Sequence, residues 1–224
     1  MNKRSFFQLF FIALAFIGIS ATAFSEPQNI GALRLELRKY HDSGAYDNDI
    51  VSVVKDAEAY IDARAKTNAK MQNPAKLAIV LDIDDTTLSN YQDIIERNFC
   101  PDDVKIKRAE QRGKSPAINP MLALYKNARK SGVAIFFVTG RGQDLQKPTE
   151  RNLKAVGYTT WNGIFFRPKV DSNKSVVPYK TQVRANIQAQ GYTIVASIGD
   201  QDSDLAGGYA EKTFKLPNPY YYLP

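Results

Sequence analysis

The chain has 224 residues, 44% of them hydrophobic and 24% charged, a composition that suits one globular domain with a full core and excludes a disordered or fibrous chain. Its 30 basic and 23 acidic residues leave a net charge of +7, too mild an excess to point to a nucleic acid polymer without a basic stripe or an aromatic platform. Cys100 is the single cysteine, so an internal disulfide is excluded.

Residues 1–23 stand apart from the rest. "MNKR" gives a positive start, "SFFQLFFIALAFIGIS" an apolar run, and Ala21-Thr22-Ala23 a small-residue cleavage site, which is the plan of a secretory signal peptide. The run is short for a membrane span, so cleavage near Ala23 and release to the periplasm or the extracellular space are expected, with no membrane contact afterwards. Cleavage lowers the net charge from +7 to +5, because Lys3 and Arg4 go and no acid does.

Ile30, Leu33, Leu37 and Tyr40 fall at helical spacing, as do Ile50, Val53, Val54, Ala57 and Ile61. "HDSGAYD" between them is turn chemistry, with Gly44 as the breaker. A buried strand is expected over about 76–82, then a polar, irregular segment with some helix over 89–116. "MLALYKNARKSG" reads as a helix ending at Gly132 and "VAIFFVTG" as a strand. A helix near 146–156, the apolar run "GIFF", a helix beginning near Tyr179, the strand "YTIVASIGD" and the closing "TFKLP" complete the series. Strands alternating with helices imply an α/β, Rossmann-like parallel sheet with helices on both faces.

Three loops leave strand ends: "DIDDTT", "TGRG" and "GDQDSD". Ligands of open parallel α/β sheets bind at the carboxyl ends of the strands, so Asp82, Asp84, Asp200 and Asp204 are expected to converge. Carboxylates that close need a cation, or some must stay protonated. Oxygen ligands with no cysteine and only a remote His41 favour Mg²⁺. Thr139 and Lys180 supply a hydroxyl and an ammonium suited to phosphoryl oxygens. Lys169 and Lys174 are nearby, but Lys180 opens a helix after Pro178. One carboxylate, Asp82, can attack phosphorus and form an aspartyl-phosphate. The other, Asp84, can protonate the leaving oxygen and then activate water. No G-x-G-x-x-G or Walker loop follows a strand, which argues against a nucleotide-binding module.

"DIDDT", "FFVTGR", "PYKTQVRANI" and "GDQDSD" together resemble the ordered motifs of the haloacid dehalogenase superfamily. The likeness of "YHDSGAYDNDI", "RNLKAVGY" and "FKLPNPYYYLP" extends over about 28–224, to its class B, subfamily IIIB, acid phosphatases and the related plant vegetative storage proteins. The resemblance implies Asp82 as nucleophile, Asp84 as general acid/base, and Thr139 and Lys180 as phosphate-binding residues. It implies metal contacts from Asp82, from the backbone carbonyl of Asp84 and from Asp200, with Asp204 supporting them. It also implies one phosphatase domain over 24–224 with a small helical cap, built here from helices within 27–70 and the insert 89–116.

The function expected is that of a secreted, Mg²⁺-dependent acid phosphatase acting on small phosphomonoesters. Tyr46, Tyr91 and Phe99, with the Lys105–Lys114 cluster as a positive rim, would favour aryl phosphates and nucleoside monophosphates. Transfer of the phosphoryl group to alcohols, or a non-enzymatic storage or interaction role, are the alternatives. Asp85 is expected to face solvent or cap the next turn, Arg141 to pair with a surface acid, Trp161 to join the core, His41 to lie on the surface or end a helix, and Tyr220–Tyr222 to pack the C-terminus.

Overall fold

The computed structural model describes residues 26–169 and 175–223; the expected signal peptide and Lys174 lie outside the described residues. Two helices come first, α1 (Ile30–Asp42) and α2 (Ala45–Asn68). The Asn29 side chain accepts the N–H groups of Gly31 and Ala32 at the start of α1, satisfying donors that a first turn leaves open. Between the helices Gly44 adopts φ 80°, a left-handed conformation that needs no Cβ to be accommodated. The breaker read in "HDSGAYD" therefore works through backbone geometry.

Five parallel strands follow the order β3-β2-β1-β4-β5. They are β1 (Lys76–Leu81), β2 (Ala134–Gly142), β3 (Gly163–Arg167), β4 (Tyr192–Gly199) and β5 (Lys212–Lys215). The middle strand β1 buries every residue from Leu77 to Leu81, as a strand covered on both faces must. Leu77, Ile79, Leu81, Ile135 and Phe137 pack on one side with α2 and α5 (Asn119–Lys130). The alternate residues Ala78, Val80, Phe136 and Val138 meet Val183 and Ile187 of α7 (Val177–Ala189) on the other. Each such side chain contributes about 1.5–3 kcal/mol when fully buried, so the period-two alternation of β1 and β2 fixes both layers. The chain turns to one side of β1 to build β2 and to the other to build β4, and ligands of such sheets bind at that reversal.

The insert 89–116 forms two short helices, α3 (Tyr91–Glu96) and α4 (Asp103–Arg112). The Asp102 carboxylate caps α4 by accepting the N–H of Lys105, and Gly113 ends it at φ 60°. On its far side α4 packs against α6 (Gln146–Ala155). α1 is tied to the insert: Arg38 donates to the carbonyl of Ile95 at 3.2 Å, and the Tyr91 hydroxyl bonds Asp42 at 3.2 Å. α2 instead lies in the sheet-covering layer, with Ile50, Val54, Ala57 and Ile61 in the main core. Among the described residues, no helix is long and apolar enough to cross a membrane.

Candidate active site

Asp82 sits one residue beyond β1, and its N–H still donates to the carbonyl of Ile198 on β4 at 3.0 Å. The ladder thus delivers its side chain to the junction of β1 and β4. The turn after it is braced internally. The Thr87 hydroxyl donates to the Asp82 carbonyl at 2.5 Å, and the N–H groups of Thr87 and Leu88 both donate to the carbonyl of Ile83. Asp85 takes φ 51° here, a left-handed position that aspartate tolerates better than most residues.

Asp200 lies two residues past Ile198, the partner of Leu81 in the ladder. A Cβ on Gly199 would overlap the Asp204 carboxylate, so the glycine lets these two elements approach. Lys180 reaches in from the first turn of α7, just after Pro178. Its ammonium donates to Asp82 Oδ1 at 2.6 Å and to Asp204 Oδ1. Asp82, Asp200, Asp204 and Lys180 are all buried, and the three carboxylates offer oxygens lying within 4.8 Å of one another.

Three buried carboxylates face one ammonium, and the acids feel the deficit. Burial, then the charge of Asp204, holds Asp82 well above the usual carboxylate range while Lys180 opposes them. Burial and Asp204 also raise Asp200, against the hydrogen bonds of Asn218 and Gln201. Burial alone would lower Lys180, but the charges of Asp82 and Asp204 overcome it and the ammonium persists. Asp204 uses both oxygens inside the protein, one on Lys180 and the other accepting the N–H of Gln201 at 2.9 Å. The donor set is all oxygen and short of positive charge, which fits a hard divalent cation.

Thr139 is fully buried in the second half of β2, where the register with β3 breaks between Thr139 and Gly142. Its Oγ1 accepts the N–H of Arg141 at 3.1 Å. The Asp84 carboxylate pairs with Arg141. The Arg141 Nε lies 3.1 and 3.0 Å from the two oxygens of Asp84, and Nη2 lies 2.6 Å from Oδ1. Burial would raise Asp84, but Arg141 and the side-chain amide of Asn90 take it below the usual range. The structure therefore brings Asp82, Asp200, Asp204 and Lys180 into direct contact or close approach, and sets the Asp84 carboxylate beside them.

Three expectations need correcting: the surface partner of Arg141, the solvent-facing option for Asp85, and Tyr46 and Tyr91 as pocket walls. Arg141 is 4% exposed and pairs with Asp84, not with a surface acid. Its Nη1 donates to Thr149 at 3.0 Å, and Glu110 of α4 lies 3.7 Å from Nε. Asp85 does not face solvent: it is fully buried, accepts the N–H of Asn90 ahead of α3 at 2.8 Å, and accepts the Tyr221 hydroxyl at 2.9 Å. Burial, then the charge of Asp200, pushes its pKa to about 7.

Tyr46 and Tyr91 are buried in an aromatic cluster and do not form open walls. His41, in the last turn of α1, stacks on Tyr91 with ring centroids 3.3 Å apart, and Tyr220 packs against both tyrosines. Phe99 is half-buried beside Tyr220, under the guanidinium of Arg38. Trp161 packs against the core, edge-on to Phe137. Cys100 is a half-buried free thiol bonded by Arg34 at 3.1 Å.

Sequence reasoning had Thr86 only as the threonine of "DIDDT", with no role, and missed Asn90, Glu110, Lys215, Asn218 and the polar role of Tyr221. Thr86 donates to Asp200 Oδ1 at 3.1 Å, and the Lys215 ammonium donates to the Asp200 carbonyl at 2.6 Å. The first threonine of "DIDDTT" carried a readable signal, since it follows the acids directly. The C-terminal partners carried none, because nothing in their spacing places them against Asp200.

The chain is similar to known proteins in sequence and in fold. The model of the HAD superfamily, subfamily IIIB (acid phosphatase), matches residues 19–224. Stem 28 kDa glycoprotein of Glycine max is 38% identical over 66% of this chain and 61% of its own length. Acid phosphatase 1 of Solanum lycopersicum is 34% identical over 64% of this chain and 58% of its own. Vegetative storage protein 1 of Arabidopsis thaliana is 32% identical over 81% and 67% respectively. The chain thus spans less than two thirds of the length of the first two relatives. Among solved structures, the class C acid phosphatase of Bacillus anthracis shares the fold, with a TM-score of 0.69 at 21% identity over 86% of each chain.

Proposed function

Since the chain belongs to subfamily IIIB of the HAD superfamily, the acid phosphatases, we propose that it hydrolyses small phosphomonoesters through an aspartyl-phosphate on Asp82. The observation that carries the reading is the buried Lys180 ammonium shared by Asp82 and Asp204, with Asp200 close by at the ends of β1 and β4. A site that gathers three carboxylates and a lysine at such cost in desolvation is built for an ionic ligand.

In the first half-reaction an oxygen of Asp82 attacks phosphorus, the P–O ester bond breaks, and Asp84 delivers a proton to the departing oxygen. In the second, water attacks the phosphorus of the aspartyl-phosphate, Asp84 takes its proton, and the Asp82 carboxylate is released with inorganic phosphate. The hydroxyl of Thr139 and the ammonium of Lys180 hold phosphoryl oxygens as charge develops. Mg²⁺, when bound by Asp82, the Asp84 carbonyl and Asp200, supplies the positive charge that the carboxylates and the phosphoryl oxygens lack. Arg141 orients Asp84 and, through its three contacts of 2.6–3.1 Å, favours the ionised carboxylate. Leaving groups that need little protonation are then handled best, which supports a preference for aryl phosphates. The wider preference for nucleoside monophosphates rests on Phe99 and the exposed cationic face of α4. Export after cleavage near Ala23 is part of the proposal, and α1 with the insert would form the cap.

Phosphate release from p-nitrophenyl phosphate by the wild type and by Asp82→Asn tests the reading. Turnover by the wild type and its loss in the variant are expected; turnover in the variant within about tenfold of wild type would rule out the covalent route. The names of the two Arabidopsis thaliana relatives, vegetative storage proteins 1 and 2, favour a storage role as second reading, and a wild type that is inert on every phosphomonoester would support it.

A further inference from the structure

Asp200 is held by residues from the very end of the chain. Its Oδ2 accepts the Asn218 amide at 2.6 Å, the Gln201 amide at 2.7 Å and, more loosely, the Tyr221 hydroxyl at 3.4 Å. Its Oδ1 accepts only the Thr86 hydroxyl among the described residues. Donors are therefore concentrated on one oxygen, and the other keeps capacity for a cation.

The tail is itself pinned so that these donors cannot drift. Leu216 is buried and its N–H continues the sheet by donating to the carbonyl of Gly199 at 2.8 Å. Asn218 Oδ1 accepts the N–H of Tyr220 at 2.9 Å, which fixes the amide plane and aims Nδ2 at Asp200. Tyr220 is buried against Tyr46 and Tyr91. The N–H of Leu223 donates to Gln201 Oε1 at 3.2 Å, fixing the amide that meets the same carboxylate. Tyr221 gives its stronger bond to Asp85, at 2.9 Å, and so ties the turn after β1 to the turn after β4.

We propose that Asn218 and Tyr221 are positioning residues that orient the Asp200 carboxylate for a divalent cation, so that the C-terminal tail sets the metal affinity of the site. The inference rests on the metal-dependent reading above and goes beyond it, because neither residue touches the reacting atoms. Groups that orient metal-binding carboxylates alter metal affinity by about 10–100-fold when removed.

The test is isothermal titration of the metal-free protein with Mg²⁺, alongside phosphate release as a function of Mg²⁺, for wild type, Asn218→Ala and Tyr221→Phe. Asn218→Ala is expected to weaken Mg²⁺ binding about 10–100-fold, with kcat at saturating Mg²⁺ within about threefold of wild type. Tyr221→Phe, which keeps the ring and loses one oxygen, is expected to weaken binding less, with an unchanged melting temperature; it also carries the test if Asn218→Ala does not fold. A merely structural tail predicts a lower melting temperature with Mg²⁺ affinity unchanged, and that result overturns the inference. A wild type that binds no Mg²⁺ overturns the metal reading itself, which the variants alone could not do.

Discussion

Replacing Lys180 by methionine removes the one ammonium that Asp82 and Asp204 share. Lys180 is 5% exposed, with its Nζ 2.6 Å from Asp82, so water cannot take its place without opening the site. Two carboxylates are left buried without their partner, a situation that costs about 3–5 kcal/mol. For a domain of this size that corresponds to a melting temperature about 6–20 °C lower. The measurement is a calorimetric melt in chelator, with Lys180→Arg as the charge-keeping control, expected to lose less. The sign with pH follows from Asp82, whose carboxyl already lies above its ordinary range through burial, then Asp204, against Lys180. Deleting Lys180 raises it further. An acid raised on folding destabilises the protein increasingly as pH climbs through that window. The deficit of the variant should therefore be small near about pH 4 and largest near about pH 8. A variant that melts within about 2 °C of wild type near pH 8 would refute the reasoning, because Lys180 could not then be a buried counter-ion.

Glu110→Gln tests the wall that α4 builds behind Arg141. Burial, then the charge of Asp84, pushes Glu110 to about 7 while Arg141 opposes them, so its ionisation penalty is absent at low pH and complete above that value. The variant should gain melting temperature over wild type as pH rises from about 4.5 to 7; a gap independent of pH would contradict the assignment. Asp200→Asn should weaken Mg²⁺ binding more than Asp204→Asn, because both Asp204 oxygens already serve Lys180 and Gln201; titration calorimetry that ranks them the other way would exchange their roles. N-terminal sequencing of exported protein should begin at Phe24, and an intact "MNKR" start would sink the export proposal.

The central strand and its acids were legible because the signals are local. Five apolar residues from Leu77 to Leu81 precede "DIDDTT", and the parallel alternation around them places that loop beside "GDQDSD". Lys180 was legible through Pro178, which marks the start of α7. Arg141 was misread because an arginine in a polar loop usually reaches solvent, whereas the broken register after Thr139 turns this one inward. For Asp85 the capping option held, since it accepts the N–H of Asn90 ahead of α3, and the solvent option failed; its buried bond to Tyr221, 136 positions along the chain, had no local signal. Glu110 sat unnoticed in "KIKRAEQRGK", where the lysines and arginines suggested a solvated face. The helix places Glu110 and Lys107 toward Arg141 and Asp144, and only the fold of the insert reveals that. Tyr46 and Tyr91 show the opposite error, since aromatic residues near a proposed cap proved to be packing for His41 and Tyr220.

The most direct test of the account is to trap the covalent intermediate. Protein quenched during turnover of p-nitrophenyl phosphate is treated with borohydride, which reduces an aspartyl-phosphate to homoserine, and its peptides are mapped by mass spectrometry. Homoserine is expected at position 82 and at no other aspartate, dependent on substrate and absent from Asp82→Asn. Rapid phosphate release with Asp82 unmodified at every quench time, or homoserine at position 84 or 200, would contradict the covalent route through Asp82.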